Sequence, residues 1–585
     1  MLIPMPRALI RSLWGPVLDK ELRVSSRRRR SYVVRTAYLA LLTLFVALVW
    51  ADVAEWTGPG IAFSAWMARV GRWFTLLTVW FQFVACQVVA AVLCSTAISE
   101  EVQHRTLGVL MTTPVSSLQI VLGKLLSRLF QTWILIGLSL PLLALVRVYG
   151  GIPWGFLIGG LALTASAAMF AGSVSLFLSI VCGRAYAVIL WSVLGLIALW
   201  GLVPFLTFLL ADAWDLASER QCLEFFTAVH PYFGLAELSD PLMGRMGGAA
   251  KASLWIRPSA GLLVCSAALL VVSVARVRTV ALRQVTGGVA AAPGRAARRA
   301  SRAGGTHAGS VRVHGCPVLW KERRAPLLGR RRGLTLAGLI LTCGALVPVY
   351  WAAYDGHDLD DSGFHSLMVF LYMLLGGLFA VVLPATTITT ERETGSWPIL
   401  LSTTLGPWRI VAAKGLGAIR RGLLAWGFLL IHVLAFTITG LIHPLGAVQL
   451  ALAVLGLVVL LTGTGLYFSS RLRHTTAAVI SNLALACVLW VLLPVAMMMG
   501  LYYFSRLSWA DDWLERILAC CPFVQGAAIM EAFANGPYSH LSGWPLLRLD
   551  PMESTVWVAA TAAIHVLAGC VFALRAGANL RRRIF

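Results

Sequence analysis

Two polar stretches, each carrying acidic residues, hydroxyls and a lysine, stand between long apolar runs. One is Ile98–Lys124, ISEEVQHRTLGVLMTTPVSSLQIVLGK; the other is Ile388–Lys414, ITTERETGSWPILLSTTLGPWRIVAAK. They align without a gap: Ile98 on Ile388, Glu101 on Glu391, Leu110 on Leu400, Thr113 on Thr403 and Lys124 on Lys414. Gly123–Lys124 and Lys414 lack the upstream glycine and the following Ser/Thr of a phosphate-binding G-x-x-x-x-G-K-[ST] loop, so nucleotide hydrolysis by that route is excluded. There is no HExxH, no GxSxG with partners and no pair of intramembrane aspartates. The 11 cysteines are scattered, mostly in apolar runs (Cys86, Cys94, Cys265, Cys343, Cys487, Cys570), without CxxC metal spacing. His432 and His565 stand in apolar runs as lone histidines and read as packed polar residues rather than proton relays. No metal site and no cofactor of the chain's own is expected.

What remains for the two stretches is recognition. Leu107, Leu110 and Met111 share one helical face, as do Trp397, Leu400 and Leu401. Acidic residues come before them, Glu100 and Glu101 in one copy and Glu391 and Glu393 in the other, as suits a helix N-terminus. Thr390 and Glu393 have capping-box spacing. A bend follows at Thr113–Pro114 and at Gly406–Pro407. A re-entry helix then opens on Ser116 and Gln119, again in capping-box spacing, or on Pro407 in its first turn. Each stretch therefore predicts a short amphipathic helix, a bend and a re-entry helix. Such a helix either lies on the membrane or fills a groove on a partner. Duplication favours a partner with two equivalent sites.

The elements that must position these stretches are membrane spans. Of 585 residues, 59% are hydrophobic and 12% charged, against roughly half and a quarter in a soluble domain. Runs long enough for a bilayer crossing, about 20 helical residues, fall near 33–53, 74–98, 130–148, 156–181, 187–210 and 260–274, then 334–352, 366–389, 422–440, 447–468, 476–500 and 554–574. The expected fold is an all-α polytopic membrane protein with two parallel repeats of six transmembrane helices, about 12 spans in all. The repeats are 1–283 and 316–585. Between them, 284–315 is a Gly-, Ala-, Ser- and Arg-rich segment without an acidic residue, a flexible basic linker expected to lie against anionic lipid. A further correspondence, HPYFGLAEL from His230 and CPFVQGAAI from Cys521, precedes the last span of each repeat. Same-direction repeats imply a pseudo-two-fold axis along the membrane normal.

The net charge of +23 sits beside the spans, at Arg27–Arg30, Arg184, Arg276, Arg278, Arg471, Arg473 and the terminal RRRIF. That is the positive-inside pattern, and it places both termini, the linker and both polar stretches in the cytosol. No folded basic domain or aromatic RNA motif accompanies the charge, so no nucleic-acid partner is expected. Arg7, Arg11 and Lys20 interrupt the N-terminal stretch, which does not read as a cleavable signal.

The motifs resemble the cytosolic loop of type-2 ABC exporter permeases. Glu391–Arg392–Glu393–Thr394–Gly395–Ser396 with Leu400–Leu401 matches the first part of that family's pattern, E-R-E-x-G-(T/S) then L-L. Leu110–Met111–Thr112–Thr113–Pro114 with Gly123–Lys124 matches the second, T-P and a later G-K. The PVLxKE segments at Pro16–Glu21 and Pro317–Glu322 are similar to its amphipathic elbow helix. The first copy has His104–Arg105–Thr106 where the pattern wants x-G-T, and the second has Thr404–Leu405 where it wants proline.

The resemblance implies a permease of an ABC exporter, two units fused in tandem, in a bacterial inner membrane. Its partner would be a separate ABC ATPase subunit, in two copies, carrying ATP and Mg. The short helices would be coupling helices docked on that ATPase through Glu100, Glu101, Thr106, Leu107, Leu110, Met111, Thr113 and Pro114, and through Glu391, Glu393, Thr394, Gly395, Trp397, Leu400, Leu401 and Thr403. Pro16, Lys20 and Glu21, with Pro317, Lys321 and Glu322, would form the elbow helices. The segments 225–240 and 515–533, with Pro231, Phe233, Pro522 and Phe523, would form an outer gate. The departures imply two unequal docking sites. The competing readings are an ion-coupled secondary transporter, which needs mid-membrane ionisable residues that are scarce here, and a scaffold that recruits cytosolic proteins without transport. The residues do not name a substrate.

Overall fold

A computed structural model describes residues 60–285 apart from 104–105, 183, 214–217 and 244–254, then 315–494 apart from 325–331, then 519–534 and 551–582, with parts of 18–43 and Met497. The chain divides into two compact units, 1–312 and 313–585. Among the described residues both units are helical, and 11 helices are long and apolar enough to cross a bilayer. In the first unit these include α1 (Gly60–Cys94), α4 (Ser117–Gly150), α5 (Trp154–Cys182) and α10 (Ile256–Val285), with α6 (Ala185–Ile197) and α7 (Val203–Ala213) forming one interrupted span. Two short helices, α2 (Ser99–Gln103) and α3 (Leu107–Met111), follow α1; two more, α8 (Glu219–Val229) and α9 (Pro231–Met243), precede α10.

The second unit repeats the order: α11 (Pro317–Arg324), α12 (Arg332–Asp355), α13 (Ser362–Glu393), the short α14 (Trp397–Leu401), α15 (Pro407–Ile438), α16 (Pro444–Arg471), α17 (Thr475–Cys487), α18 (Pro522–Phe533) and α19 (Pro551–Arg582). The expected span near 33–53 lies largely outside the described residues, as does the 284–315 linker apart from its ends. The other eleven expected spans are present.

Within each unit the fourth span packs between the second and the sixth: α5 between α1 and α10, α16 between α13 and α19. Lipid supplies no hydrophobic drive between helices, so close approach of small residues has to hold them. A Cβ on Gly463 in α16 would lie 2.0 Å from the Gly569 carbonyl oxygen in α19, and one on Gly569 would lie 2.4 Å from that of Val459. The two backbones touch, and only glycine fits at either position. Hydrogen bonds between buried side chains and carbonyls add to this, as a dry interior favours. Asn482 donates to the Val381 carbonyl at 2.9 Å and accepts from Thr464 at 2.7 Å, tying α17, α13 and α16 together.

The expected re-entry helices are not separate elements. Ser116 caps α4 with Gln119 in a complete capping box, but the helix then runs unbroken for 34 residues as span three. Pro407 likewise opens the 32-residue α15. The expected N-terminal placement of Glu391 and Glu393 is also corrected, because α13 continues to Glu393 and both carboxylates sit in its last turn. Thr390 forms no capping box; its hydroxyl donates to the Thr386 carbonyl behind it.

Candidate functional site

A carboxylate at a helix C-terminus opposes the helix dipole, so Glu391 needs compensation, and the fold supplies it. The Lys414 ammonium, on α15, lies 2.7 Å from Glu391 Oε1, the Lys321 ammonium of α11 lies 2.9 Å away, and the Ser396 hydroxyl bonds the other oxygen. Lys414 is itself buried and reaches a second carboxylate, Glu322 of α11, at 2.7 Å. The other Glu322 oxygen takes Arg421 at 3.2 Å, and Arg420 bonds the Glu322 carbonyl. Gly417 makes room, since a Cβ there would stand 2.7 Å from that of Glu322. Two carboxylates and three cations thus join α11 to α13 and α15. A buried charge with its partners in place holds geometry; one stripped of its partner costs several kcal/mol.

The next two residues fasten two further helices. Arg392 donates to the Leu472 and Ser470 carbonyls at 3.0 and 2.8 Å, satisfying the end of α16, and its guanidinium lies over Trp397. Glu393 accepts from the Thr475 backbone N–H at 2.6 Å and from its hydroxyl, capping the start of α17. Gly395 then turns the chain with φ of +72°, a left-handed conformation that glycine adopts freely after a helix end. The exposed Thr394 donates back to the Thr390 carbonyl.

The first unit carries the same core. Glu101 takes the Lys124 ammonium at 2.9 Å and the Thr106 hydroxyl, matching Glu391, Lys414 and Ser396 position for position. Lys20, on the helical segment around Leu18, is within electrostatic reach of Glu101, while Glu21 is half-buried and Pro16 lies outside the described residues. Glu100 and Glu101 lie in the first turn of α2, a helix separate from the α3 that carries Leu107.

Several residues expected on the outer face of the short helices pack inward. Leu107 is fully buried, and Trp397 and Leu400 pack into the core of Ile388, Ile410, Val411, Leu466, Ala576 and Leu580. Leu401 is half-buried, and the side chains of Leu110 and Met111 are outside those described. Among the described side chains of α3 and α14, the exposed large apolar ones are Val109, 68% exposed, and Ile399, 70% exposed. They occupy the same register in the two copies. Beside them Thr113 and Pro114, and Thr403 with Ser402, are exposed. One turn of helix offers two faces, and the sequence does not say which is the outer. A single apolar residue ringed by Thr, Ser and Pro was the available signal.

In the segment before span six, Pro231 and Pro522 are buried at the starts of α9 and α18. Phe233 stacks with Phe226, and Phe523 meets Trp490 edge-on. His230, just before α9, is packed among Trp200, Phe226 and Phe233. Burial pushes its pKa down to about 4, with the Trp200 backbone opposing only weakly.

His432 is not a lone histidine. Its Nδ1 lies 2.6 Å from the Tyr350 hydroxyl and its Nε2 lies 3.4 Å from Nδ1 of His365, whose Nε2 is 2.9 Å from the Leu359 carbonyl. Tyr350 also meets the Tyr372 hydroxyl at 2.9 Å. The Leu359 carbonyl only accepts, so two neutral imidazoles order the whole chain: His365 donates to Leu359, His432 to His365, Tyr350 to His432 and Tyr372 to Tyr350. Adjacent apolar runs hid this set, because its members come from three spans. His565 packs edge-on against Trp490.

None of these groups forms a catalytic constellation. The carboxylates of the clamps are committed to lysine, arginine and hydroxyl partners, and what they fix is the position of α3 and α14. Comparison with curated proteins finds no match. Residues 27–209, within the first compact unit, match the model of the family described as ABC-2 family transporter protein, the family its motifs resemble.

Proposed function

We propose that this chain is the membrane-spanning permease of an ABC-2 exporter, driven by ATP that a separate nucleotide-binding subunit hydrolyses. The observation that supports it is the twice-built clamp: Glu101–Lys124–Thr106 and Glu391–Lys414–Ser396 each hold a short helix, and on these helices Val109 and Ile399 stand exposed in the same register. Val109 and Ile399 would enter a cleft on each of two ATPase subunits. Glu101, Glu391 and Glu393 are then positioning residues rather than contacts. Motion of the ATPase would pass through α14 to Glu391, and from there to spans two and three and the elbow helix. The membrane would be the bacterial inner membrane, with both termini, the linker and the clamps cytosolic, and α9 and α18 at the outer side. ATP and Mg belong to the partner.

The test is co-purification of the full chain with a co-expressed nucleotide-binding subunit. Central apolar anchors carry a large share of interface energy. Val109→Asp and Ile399→Asp should each weaken capture at least tenfold, about 1.4 kcal/mol, and the double variant should abolish both capture and stimulated ATPase activity. A double variant that captures the subunit as the wild type does would sink the docking assignment.

A further inference from the structure

In both units span five is broken by a π-helical turn, Ala198–Leu202 and Val488–Leu492, in corresponding positions. Each turn carries a tryptophan, Trp200 or Trp490, and each tryptophan is followed four residues later by a proline, Pro204 or Pro494. The cause is local. In an α-helix the Trp200 carbonyl would accept from the N–H of residue 204; proline has none, and its ring collides with that carbonyl. The backbone winds tight and then loose around the site. The Ala198 N–H goes to the Gly195 and Leu194 carbonyls, three and four residues back, while the Val203 N–H reaches Ala198, five back. The second copy does the same: Val488 to Leu485 and Ala484, then Leu493 to Val488.

The tryptophan of each turn meets the start of the helix before span six. Trp200 lies 5.0 Å from His230 and 6.4 Å from Tyr232; Trp490 lies 5.6 Å from Phe523, the counterpart of Tyr232. Each also touches another span, Trp200 through Phe170 of α5 and Trp490 through His565 of α19. The buried Trp200 indole N–H finds no acceptor among the described residues. Single-turn π-bulges occur mostly inside α-helices at functional positions, and here one is written twice.

We propose that the W-x-x-x-P turn of each repeat is a register hinge, at which span five slips between π and α winding and its tryptophan carries that slip to the Pro231 or Pro522 helix. One residue of slip advances the span beyond the turn by about 1.5 Å and rotates it by about 100°. The proposal concerns the chain's own motion, so a failed ATPase-docking experiment leaves it standing.

Hydrogen–deuterium exchange on the full chain in lipid nanodiscs tests it. Pro204→Ala restores the missing donor, so exchange across Ala198–Leu202 should slow at least tenfold, and exchange of Pro231–Met243 should change with it. Trp200→Ala should speed exchange in Pro231–Met243 at least tenfold, Trp200→Phe should restore wild-type exchange there, and Trp154–Cys182 should stay unchanged throughout. If Pro204→Ala leaves the turn's exchange unaltered, or if the turn slows while Pro231–Met243 follows neither variant, the hinge is refuted. Pro494→Ala and Trp490→Ala, read at Val488–Leu492 and Pro522–Phe533, apply the same criteria should a first-copy variant fail to fold.

Discussion

Lys414 is buried between Glu322 and Glu391, and each of its contacts is 2.7 Å long. Lys414→Ala leaves both carboxylates in a dry site with less cation than they need, and should destabilise the second unit by about 3–5 kcal/mol. Denaturant titration of the purified chain, followed by far-UV circular dichroism, measures this, and a loss below 1 kcal/mol would mean that water already reaches the site. Lys124→Ala in the first unit should cost less, because Lys124 meets one carboxylate there. His230 makes a prediction of opposite origin. With the folded pKa lowered from 6.5 to about 4, the unfolded chain takes up a proton below pH 6.5 that the folded chain refuses. The stability that neutral His230 confers is therefore full above pH 6.5, falls as the pH is lowered and levels off below about 4. Relative to His230→Phe, the wild type should lose several degrees of Tm between pH 7 and 4.5; a pH-independent difference would show that the imidazole is already solvated.

Helix α14 is five residues long, too short to persist alone. It is held by Gly395 before it, by Trp397 and Leu400 packed inward and by the Glu391–Ser396 bond. Gly395→Ala should cost roughly 1 kcal/mol, as placing a Cβ at positive φ does, and should weaken ATPase capture more than it lowers overall stability. Parallel capture and unfolding assays separate the two effects. The sequence made the existence of this element legible, because the stretch occurs twice, but left its orientation open. Three apolar residues on one turn look alike whether they face a core or a partner. The C-terminal end of α13 lies beyond its expected place for a related reason. Glu391 is unfavourable at a C-terminus unless a cation arrives, and Lys414, Lys321 and Ser396 come from elsewhere in the fold. The W-x-x-x-P pair stood in plain view, yet it reads as a break only once the carbonyl four residues before each proline is considered.

At the scale of the molecule the span pattern was readable almost throughout, because bilayer thickness sets a length that hydropathy reports directly. What hydropathy does not report is which span lies at the centre. Span four does so in both units, through small residues that a hydropathy scale ranks as unremarkable. The charge clamps were not legible as pairs: Glu101 and Lys124, like Glu391 and Lys414, stand 23 residues apart in the aligned stretches, which by itself joins nothing, and Glu322 comes from a distant helix. The His365–His432 set was not legible at all, since its members come together from three spans far apart in the chain.

The contact of α16 with α19 has a meaning for how this sequence can drift. At Gly463 the obstacle is the Gly569 carbonyl, and at Gly569 it is the Val459 carbonyl, so neither is a side chain that could step aside. The two positions admit one letter of the alphabet each, and neither loss is repaired by shrinking the other. A saturation library selected for correctly folded protein at the membrane should return glycine alone at 463 and 569, while neighbouring apolar positions exchange freely among Val, Leu and Ile. The place where two backbones touch would be the slowest-changing spot in the second repeat.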